Sequence, residues 1–384
     1  MATAVSRHTR PTLVWMSCAL VLLLTGCALD APRAPGAATE SRAPVPTPYA
    51  APTASPPAAR AAVGLLFVRV DDILDDAELE SLRQLAGVTE IAAARRDDVA
   101  IIASARADGT PVDSLPNDFK ISVAGQVDDG ALALRPNEVA LTVEALPLRD
   151  LDVGGTLTLG DGGTRTITAI VEGAGYAGVE LIIAPAAAAD LSFRPLQRAL
   201  LTLAADADPG AVATAARGIL GSDTVTQLRS SNDRQLVLSL PETKARFGEF
   251  AFKDLDGRDV QVGVSWIEES IIEAQIPIIG RVVCHRLIID DLTAVMQQII
   301  DVGLAHEIDP ELYGGCWAPR RINRNANLSR HAWGIAIDVN VDFDAAGLGP
   351  IPSPGIIAAF ERHGFRWGGR YPTPDNHHFE WVGL

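Results

Sequence analysis

The sequence predicts an α+β protein, on three observations. Residues 63–230 hold two strand-then-helix pairs, "VGLLFVRV" before "DDAELESLRQLAG" and "RALLTLAA" before "DPGAVATAARGILG". The stretch between them, "NEVALTVEALPLRDLDVGGTLTLGDGGTRTITAIVEG", alternates with period two and turns at Gly-Gly, as a small antiparallel sheet or barrel does. In residues 236–384 amphipathic helices come first and short alternating strands follow, which predicts helices packed on a small antiparallel sheet.

At the N-terminus, Arg7 and Arg10 precede the short apolar run "LVWMSCALVLLLTG". That is the form of an export signal over residues 1–27, and the run is too short for a good transmembrane helix. It ends in Leu24-Thr25-Gly26-Cys27, which resembles a bacterial lipobox and implies a lipid on Cys27 and a membrane-anchored, extracytoplasmic protein. Residues 28–62 are rich in Pro, Ala, Ser and Thr and nearly free of bulky apolar side chains, so they predict a disordered tether.

The two strand-helix pairs of residues 63–230 resemble one another loosely and suggest a split βαβ arrangement, two ferredoxin-like halves with a β insertion between them. That middle part has no cluster of His, Cys or paired carboxylates, so binding, spacing or regulation through a protein partner is its expected role. Its "NEV", "DLDVGGTLTL" and "TITAIV" segments resemble the extracytoplasmic domain of MacB/FtsX-type permeases. Further on, "LTAVMQQIIDVGLA" spaces Leu292, Val295, Ile299, Ile300 and Leu304 as a helix does, and "SPGIIAAFERHGF" carries Pro at its start and Gly near its end.

A net charge of −16 over 384 residues argues against nucleic acid, because neutralising phosphates needs a surplus of Lys and Arg. With Cys18 in the export signal and Cys27 lipidated, Cys284 and Cys316 remain. An exported domain permits a disulfide between them, and neither belongs to a Cys-x-x-Cys pair of the kind that holds structural zinc.

Six of the seven histidines fall in residues 236–384. In "LSRHAWGIAIDVN" the period-two reading puts Ile335, Ile337 and Val339 on the core face and Ala336, Asp338 and Asn340 on the other. One continuous strand would hold His331 and Asp338 about 23 Å apart. The chain must bend for them to meet, and Gly334 is the residue that can take the required angles. In "PDNHHFEW" Pro374 and Asp375 suit a turn, after which His378 and Glu380 share a face opposite His377, Phe379 and Trp381. Two histidines and a carboxylate make a three-ligand zinc site with a fourth position open.

Ser329-x-His331-x-x-Gly334-x-Ala336-x-Asp338, then Trp367-Gly368-Gly369, then Asp375-x-x-His378-Phe379, resembles the D-alanyl-D-alanine carboxypeptidase family that includes VanY, VanX and phage L-alanyl-D-glutamate endolysins. The resemblance spans about residues 275–384 and implies His331, Asp338 and His378 as zinc ligands and Asp375 as general base. Many carboxypeptidase members carry Glu in place of Asp375, which sits closer to the endolysin branch. The family also places an arginine before the Ser-x-His motif to steady the substrate carbonyl; Arg320 and Arg321 are candidates, and the spacing favours Arg320, leaving Arg321 for substrate. Ser329 either touches substrate or a ligand, or caps its turn, and Glu380 is a rival base or a support for a ligand imidazole.

The expectation is an exported zinc metallopeptidase acting on peptidoglycan stem peptides. The basic run Arg320, Arg321, Arg324 and Arg330 favours D-Ala-D-Ala carboxypeptidase action by holding a terminal carboxylate. The alternatives are an L-Ala-D-Glu type endopeptidase on the same residues, and a non-catalytic or regulated wall-binding lipoprotein.

Overall fold

Strand β1 (Leu65–Arg69) leads into helix α1 (Asp76–Arg83), whose start is set by a reciprocal capping box between Asp75 and Glu78. Strand β2 (Val88–Ala105) follows and is long enough to serve two sheets. After it come β3 (Lys120–Gln126), β4 (Glu138–Thr142), the short helix α2 (Leu146–Arg149), β5 (Thr156–Leu159), β6 (Thr164–Val171), β7 (Leu181–Ile183) and the short helix α3 (Pro185–Ala188). Strand β8 (Arg198–Leu203), helix α4 (Pro209–Leu220) and strand β9 (Val225–Leu228) complete this part. In this computed structural model the described residues are 64–383 without 71–72, 113–119, 127–131, 172–178, 189–190, 192, 194–195, 222–224, 229–236, 323–326, 342–348 and 372–373. The export segment, Cys27, the tether and the expected boundaries at 63, 230 and 236 lie outside them.

The first half of β2 joins an antiparallel sheet in the order β9-β1-β8-β2, with α1 joining β1 to β2 and α4 joining β8 to β9. That is the strand order of a ferredoxin-like βαββαβ unit, so the two distant sequence halves do assemble as one sheet. Leu66, Val68 and Leu201 on the sheet pack against Leu79, Leu82, Val212 and Ala216 on the helices.

The second half of β2 enters a ring in which β2-β5-β6-β4-β7-β3 returns to β2, a closed six-stranded barrel. Closure leaves no open edge. The barrel differs from the antiparallel expectation: β4–β6 and β3–β7 are parallel pairs. Period two fixes which face is apolar, whereas strand direction is set by which strands meet, and β6 turns back beside β5 and lies against β4. Its interior holds Val99, Val123, Leu141, Leu157, Ile167 and Ile183.

The C-terminal part opens with α5 (Leu240–Phe247), capped by a Ser239–Glu242 box, and the hairpin of β10 (Phe252–Asp254) and β11 (Val260–Val262). Helix α6 (Val264–Ser270) runs into the hairpin of β12 (Ile271–Ile276) and β13 (Gly280–His285), followed by α7 (Ile289–Asp301). Strand β14 (Ala336–Asp338), helix α8 (Pro354–Arg362), and strands β15 (Phe365–Trp367) and β16 (His378–Trp381) finish the chain in a three-stranded antiparallel sheet, β14-β16-β15. Ser353 caps α8, and Pro354 opens it as expected from the sequence.

Phe360 on α8 stacks on Phe379 at 3.8 Å and meets Phe365 edge-on, so helix and sheet share one core with Trp333, Ile335 and Ile337. Each such buried aromatic contributes on the order of 2–3 kcal/mol relative to exposure. The described residues all fall in one compact unit, and among them no helix is long and apolar enough to cross a membrane.

His285, at the end of β13, is a core histidine without catalytic partners. Phe247 meets its ring edge-on at 5.0 Å and Trp266 lies 6.0 Å away. Burial pulls its pKa down to about 4, against a hydrogen bond to the Phe247 backbone that favours the charged form. The unfolded chain therefore binds this proton more readily. The contribution of neutral His285 is complete above about pH 6.5 and is lost as pH falls toward 4, on the order of 2–3 kcal/mol. Urea unfolding with chelator between pH 4 and 7 should show that slope in the native chain, and His285→Asn should remove this part of it.

Candidate metal centre

The centre is made by strand register. In the antiparallel pair β14–β16, Asp338 stands opposite His378, Ile337 opposite Phe379 and Ala336 opposite Glu380. Facing residues of such a pair hold their Cβ atoms about 5 Å apart. One face is thus apolar and buried, and the other brings a carboxylate and an imidazole together beside the small Ala336.

His331 reaches the same point by a turn. Ser329 accepts a hydrogen bond from the His331 N–H at 3.3 Å and starts one turn of 3-10 helix, Arg330–Trp333. Gly334 ends it at φ 65°, ψ 32°, the left-handed conformation, and the chain enters β14. A Cβ at Gly334 would lie 2.8 Å from the His285 nitrogen, so glycine is needed for space as well as angle. The strand expected from Gly334 onward is shorter in the structure, because Gly334 and Asn340 (φ 54°) both leave the extended conformation.

His331 Nδ1 donates to the Cys316 carbonyl at 2.8 Å, which fixes the ring with Nε2 facing the site. Nε2 lies 3.1 Å from Asp338 Oδ1 and 3.3 Å from His378 Nδ1, and the last two atoms are 2.9 Å apart. All three ligand atoms lie within 4.8 Å of one another, and all three side chains are almost fully buried.

Burial opposes charge on Asp338, yet hydrogen bonds from His331 and His378 and their charge hold its carboxyl well below the usual range. Burial likewise disfavours a charged His378, but its hydrogen bond to Asp338 and the negative charge of nearby Glu380 push its pKa up to about 10. Two imidazoles and a carboxylate aimed at one buried point are a donor set that suits zinc, and a divalent cation held there would take the place of the shared proton.

Behind His378 stands Glu380, whose Oε2 is 3.7 Å from His378 Nε2. Arg330 Nε donates to Glu380 Oε1 at 3.1 Å and the Tyr371 hydroxyl donates to Oε2 at 3.3 Å. With both oxygens held, Glu380 supports the imidazole from outside the ligand cluster. Tyr371 carried no motif and was not anticipated, since its hydroxyl reaches Glu380 only through the tertiary fold. Tyr313 likewise belongs to no motif: its hydroxyl is buried without a hydrogen bond among the described residues, and burial together with the Asp338 charge pushes its pKa up to about 12.

Asp375 occupies the turn before β16. Its N–H donates to the Gly368 carbonyl at 3.0 Å, and its carbonyl accepts from the His378 N–H at 3.4 Å. A Cβ on Gly368 would lie 2.7 Å from the Asp375 carbonyl oxygen and 3.1 Å from the His378 Cβ, so the Trp367-Gly368-Gly369 motif is the floor of this turn. The Asp375 carboxylate lies 3.0 Å from His377 Nε2, within ion-pair distance but not aligned as a hydrogen bond. His377 is therefore a neighbour of the candidate base.

Of the two candidate arginines, Arg320 faces the centre, with Nη2 3.5 Å from Asp338 Oδ2. Arg321 does not serve as the expected substrate contact. Its side chain is buried and engaged by Asp254 and Asp98 at 2.5 and 2.7 Å, because neighbours in extended chain point to opposite sides. Arg330 is also engaged, by Glu380 and the Leu238 carbonyl, and Arg324 lies outside the described residues. Among the described residues of the basic run, Arg320, Arg321 and Arg330 therefore do not form one carboxylate-binding patch. Ser329 is seen in its capping role.

A disulfide joins Cys284 on β13 to Cys316, 32 residues on. The Trp317 N–H donates to the Val283 carbonyl at 2.8 Å, so the Cys316 segment lies along β13 and presents the carbonyl that orients His331. Closing a loop of that length is worth about 3–4 kcal/mol in the chain-entropy account. Cys284→Ser with Cys316→Ser should lower the unfolding free energy by about that amount and weaken zinc binding measurably, as read by urea titration and chelator competition.

Residues 323–381 match the model of a family described as D-alanyl-D-alanine carboxypeptidase. No curated protein matches the chain in sequence. Among solved structures, the chain is similar to the periplasmic region of MacB from Actinobacillus actinomycetemcomitans, at 7% identity over 45% of this chain and 90% of that one, with a TM-score of 0.31. It is also similar to the extracellular domain of the noncanonic ABC-type transporter YknZ from Gram-positive bacteria, at 9% identity over 44% of this chain and 100% of that one, with a TM-score of 0.29. The C-terminal part is thus similar to a D-alanyl-D-alanine carboxypeptidase in the stretch that contains His331, Asp338, Asp375 and His378.

Proposed function

We propose that the chain is an exported, lipid-anchored zinc peptidase that hydrolyses an amide bond in the peptide stems of peptidoglycan. The observation that carries this reading is the convergence of His331 Nε2, Asp338 Oδ1 and His378 Nδ1, within the stretch matched by the carboxypeptidase model. Zinc held by these three groups would polarise the scissile carbonyl and acidify a water.

The chain's own residues do the rest. Asp375 takes the proton of the attacking water and passes it to the departing amine. Arg320, beside Asp338 and only partly exposed, steadies negative charge developing on the carbonyl oxygen. Glu380, fixed by Arg330 and Tyr371, keeps the second nitrogen of His378 protonated and the ring in place. The Cys316 carbonyl does the same for His331.

The family description supports D-Ala-D-Ala carboxypeptidase action. One observation favours the endopeptidase reading as second: Arg321 and Arg330 are engaged by acids within the fold, so a terminal carboxylate has fewer of the expected partners. Anchoring through Cys27 rests on the lipobox resemblance alone.

Purified full-length protein should take up close to one zinc per chain and release D-Ala, or a fragment beginning with D-Glu, from a defined stem peptide. Mass spectrometry of the products assigns the bond, and absence of both zinc and cleavage would sink the proposal in favour of a wall-binding protein. Asp375→Asn should lower kcat by roughly 10²–10⁴-fold with zinc retained. Glu380→Gln should weaken zinc affinity or activity by roughly 10–100-fold, whereas a catalytic-base role for Glu380 would reverse the order of the two variants.

A further inference from the structure

The stretch that carries Arg320 is held partly from outside the C-terminal part. Residues 319–321 form extended chain along β11: the Val260 N–H donates to the Pro319 carbonyl at 3.1 Å and the Arg321 N–H to the Arg258 carbonyl at 2.8 Å. On the other side, the Ser329 N–H donates to the Arg320 carbonyl at 2.9 Å. Arg320 points to the metal cluster and Arg321 points away from it.

The Arg321 guanidinium donates from Nε and Nη2 to the two oxygens of Asp254, at 2.5 and 3.1 Å, and from Nη1 to Asp98 Oδ2 at 2.7 Å. Asp254 belongs to β10, but Asp98 belongs to β2 of the barrel. Lys120, on the neighbouring barrel strand β3, places Nζ 3.0 Å from Asp254 Oδ2. Arg321 and Lys120 also lie over the Phe252 ring, at 5.4 and 4.9 Å from its centre. The result is a row of alternating charge, Asp98–Arg321–Asp254–Lys120, of which the barrel supplies both ends.

A second junction supports the same docking. Arg149 and Glu180 of the barrel meet Lys244 and Glu249 at α5, with Arg149 Nη2 2.7 Å from Glu249 Oε1 and Lys244 Nζ 2.6 Å from Glu180 Oε1. Arg149, Glu180 and Lys244 are buried, so these charges depend on one another across the junction.

We infer that the barrel is a positioning element of the peptidase site, in which Asp98 holds Arg321 and thereby sets the backbone that aims Arg320. A planar guanidinium tied to three carboxylate oxygens has little freedom, and the residue before it shares its backbone. The inference rests on the proposed role of Arg320. Asp98 touches no reacting group.

The test uses full-length protein, zinc-loaded, with a stem peptide ending in D-Ala-D-Ala. Asp98→Asn should lower kcat about tenfold or more with KM and zinc stoichiometry within about twofold, since small misplacements of a charge-stabilising group are costly. Asp98→Glu, which keeps the carboxylate, should restore most of the rate. Hydrogen exchange at the Arg321 and Ser329 amides should quicken in Asp98→Asn and not in Asp98→Glu. If Asp98→Asn does not fold, Lys120→Met, at the exposed end of the row, should give the same pattern at about threefold in kcat. A folded Asp98→Asn protein with native kcat and native exchange at these two amides overturns the inference. If the native chain hydrolyses no stem peptide, the peptidase reading has failed, and the exchange comparison alone decides the positioning role: faster exchange supports it and unchanged exchange refutes it.

Discussion

A carboxylate shut away from water must be compensated, and Asp338 imposes that requirement on everything around it. Its Oδ1 faces two imidazoles at 2.9 and 3.1 Å, and its Oδ2 faces Arg320 at 3.5 Å. The compensation is geometric before it is electrostatic. Asp338 and His378 meet because they are paired residues of adjacent antiparallel strands, and a slip of one residue would turn one of the two side chains into the core. Phe379 stacked on Phe360 and Ile337 beside it make that slip costly, so the apolar face holds the polar face in register.

From Asp338 the supports extend outward in alternating charge. Arg330 holds Glu380, Glu380 faces His378, His378 faces Asp338, and Asp338 faces Arg320. The Tyr371 hydroxyl, the Cys316 carbonyl and the Cys284–Cys316 disulfide fix the groups that fix the ligands. Such second partners preserve ligand orientation and tautomer, which a metal site needs before any cation arrives. The surrounding glycines serve the same end: Gly334 turns the chain between His331 and Asp338, and Gly368 lets the Asp375 turn lie flat against His378.

The barrel joins this network without contributing a ligand. Arg321 stands next to the arginine that faces the centre, yet its charge is spent on Asp254 and on Asp98 of the barrel strand β2. The four charges of the Arg149 junction lie between the same two parts. The middle part and the C-terminal part therefore share buried ion pairs.

The sequence by itself determined the α+β class, the paired strand-helix halves, and helices within 292–305 and 353–365, which the structure forms at Ile289–Asp301 and Pro354–Arg362. These are legible because they rest on local chemistry, side-chain period and capping residues, whereas His331, Asp338 and His378 as one ligand set were implied by the resemblance of their motifs to the carboxypeptidase family. The tertiary structure alone decided which strands became neighbours, hence the parallel pairs of the barrel, and which acids captured Arg321 and Arg330. Asp98 and Arg321 are separated by more than two hundred residues, and no local pattern encodes the meeting of charges that distant. A guanidinium takes whichever carboxylate the fold brings within reach, so its role is fixed by packing and not by its place in a motif.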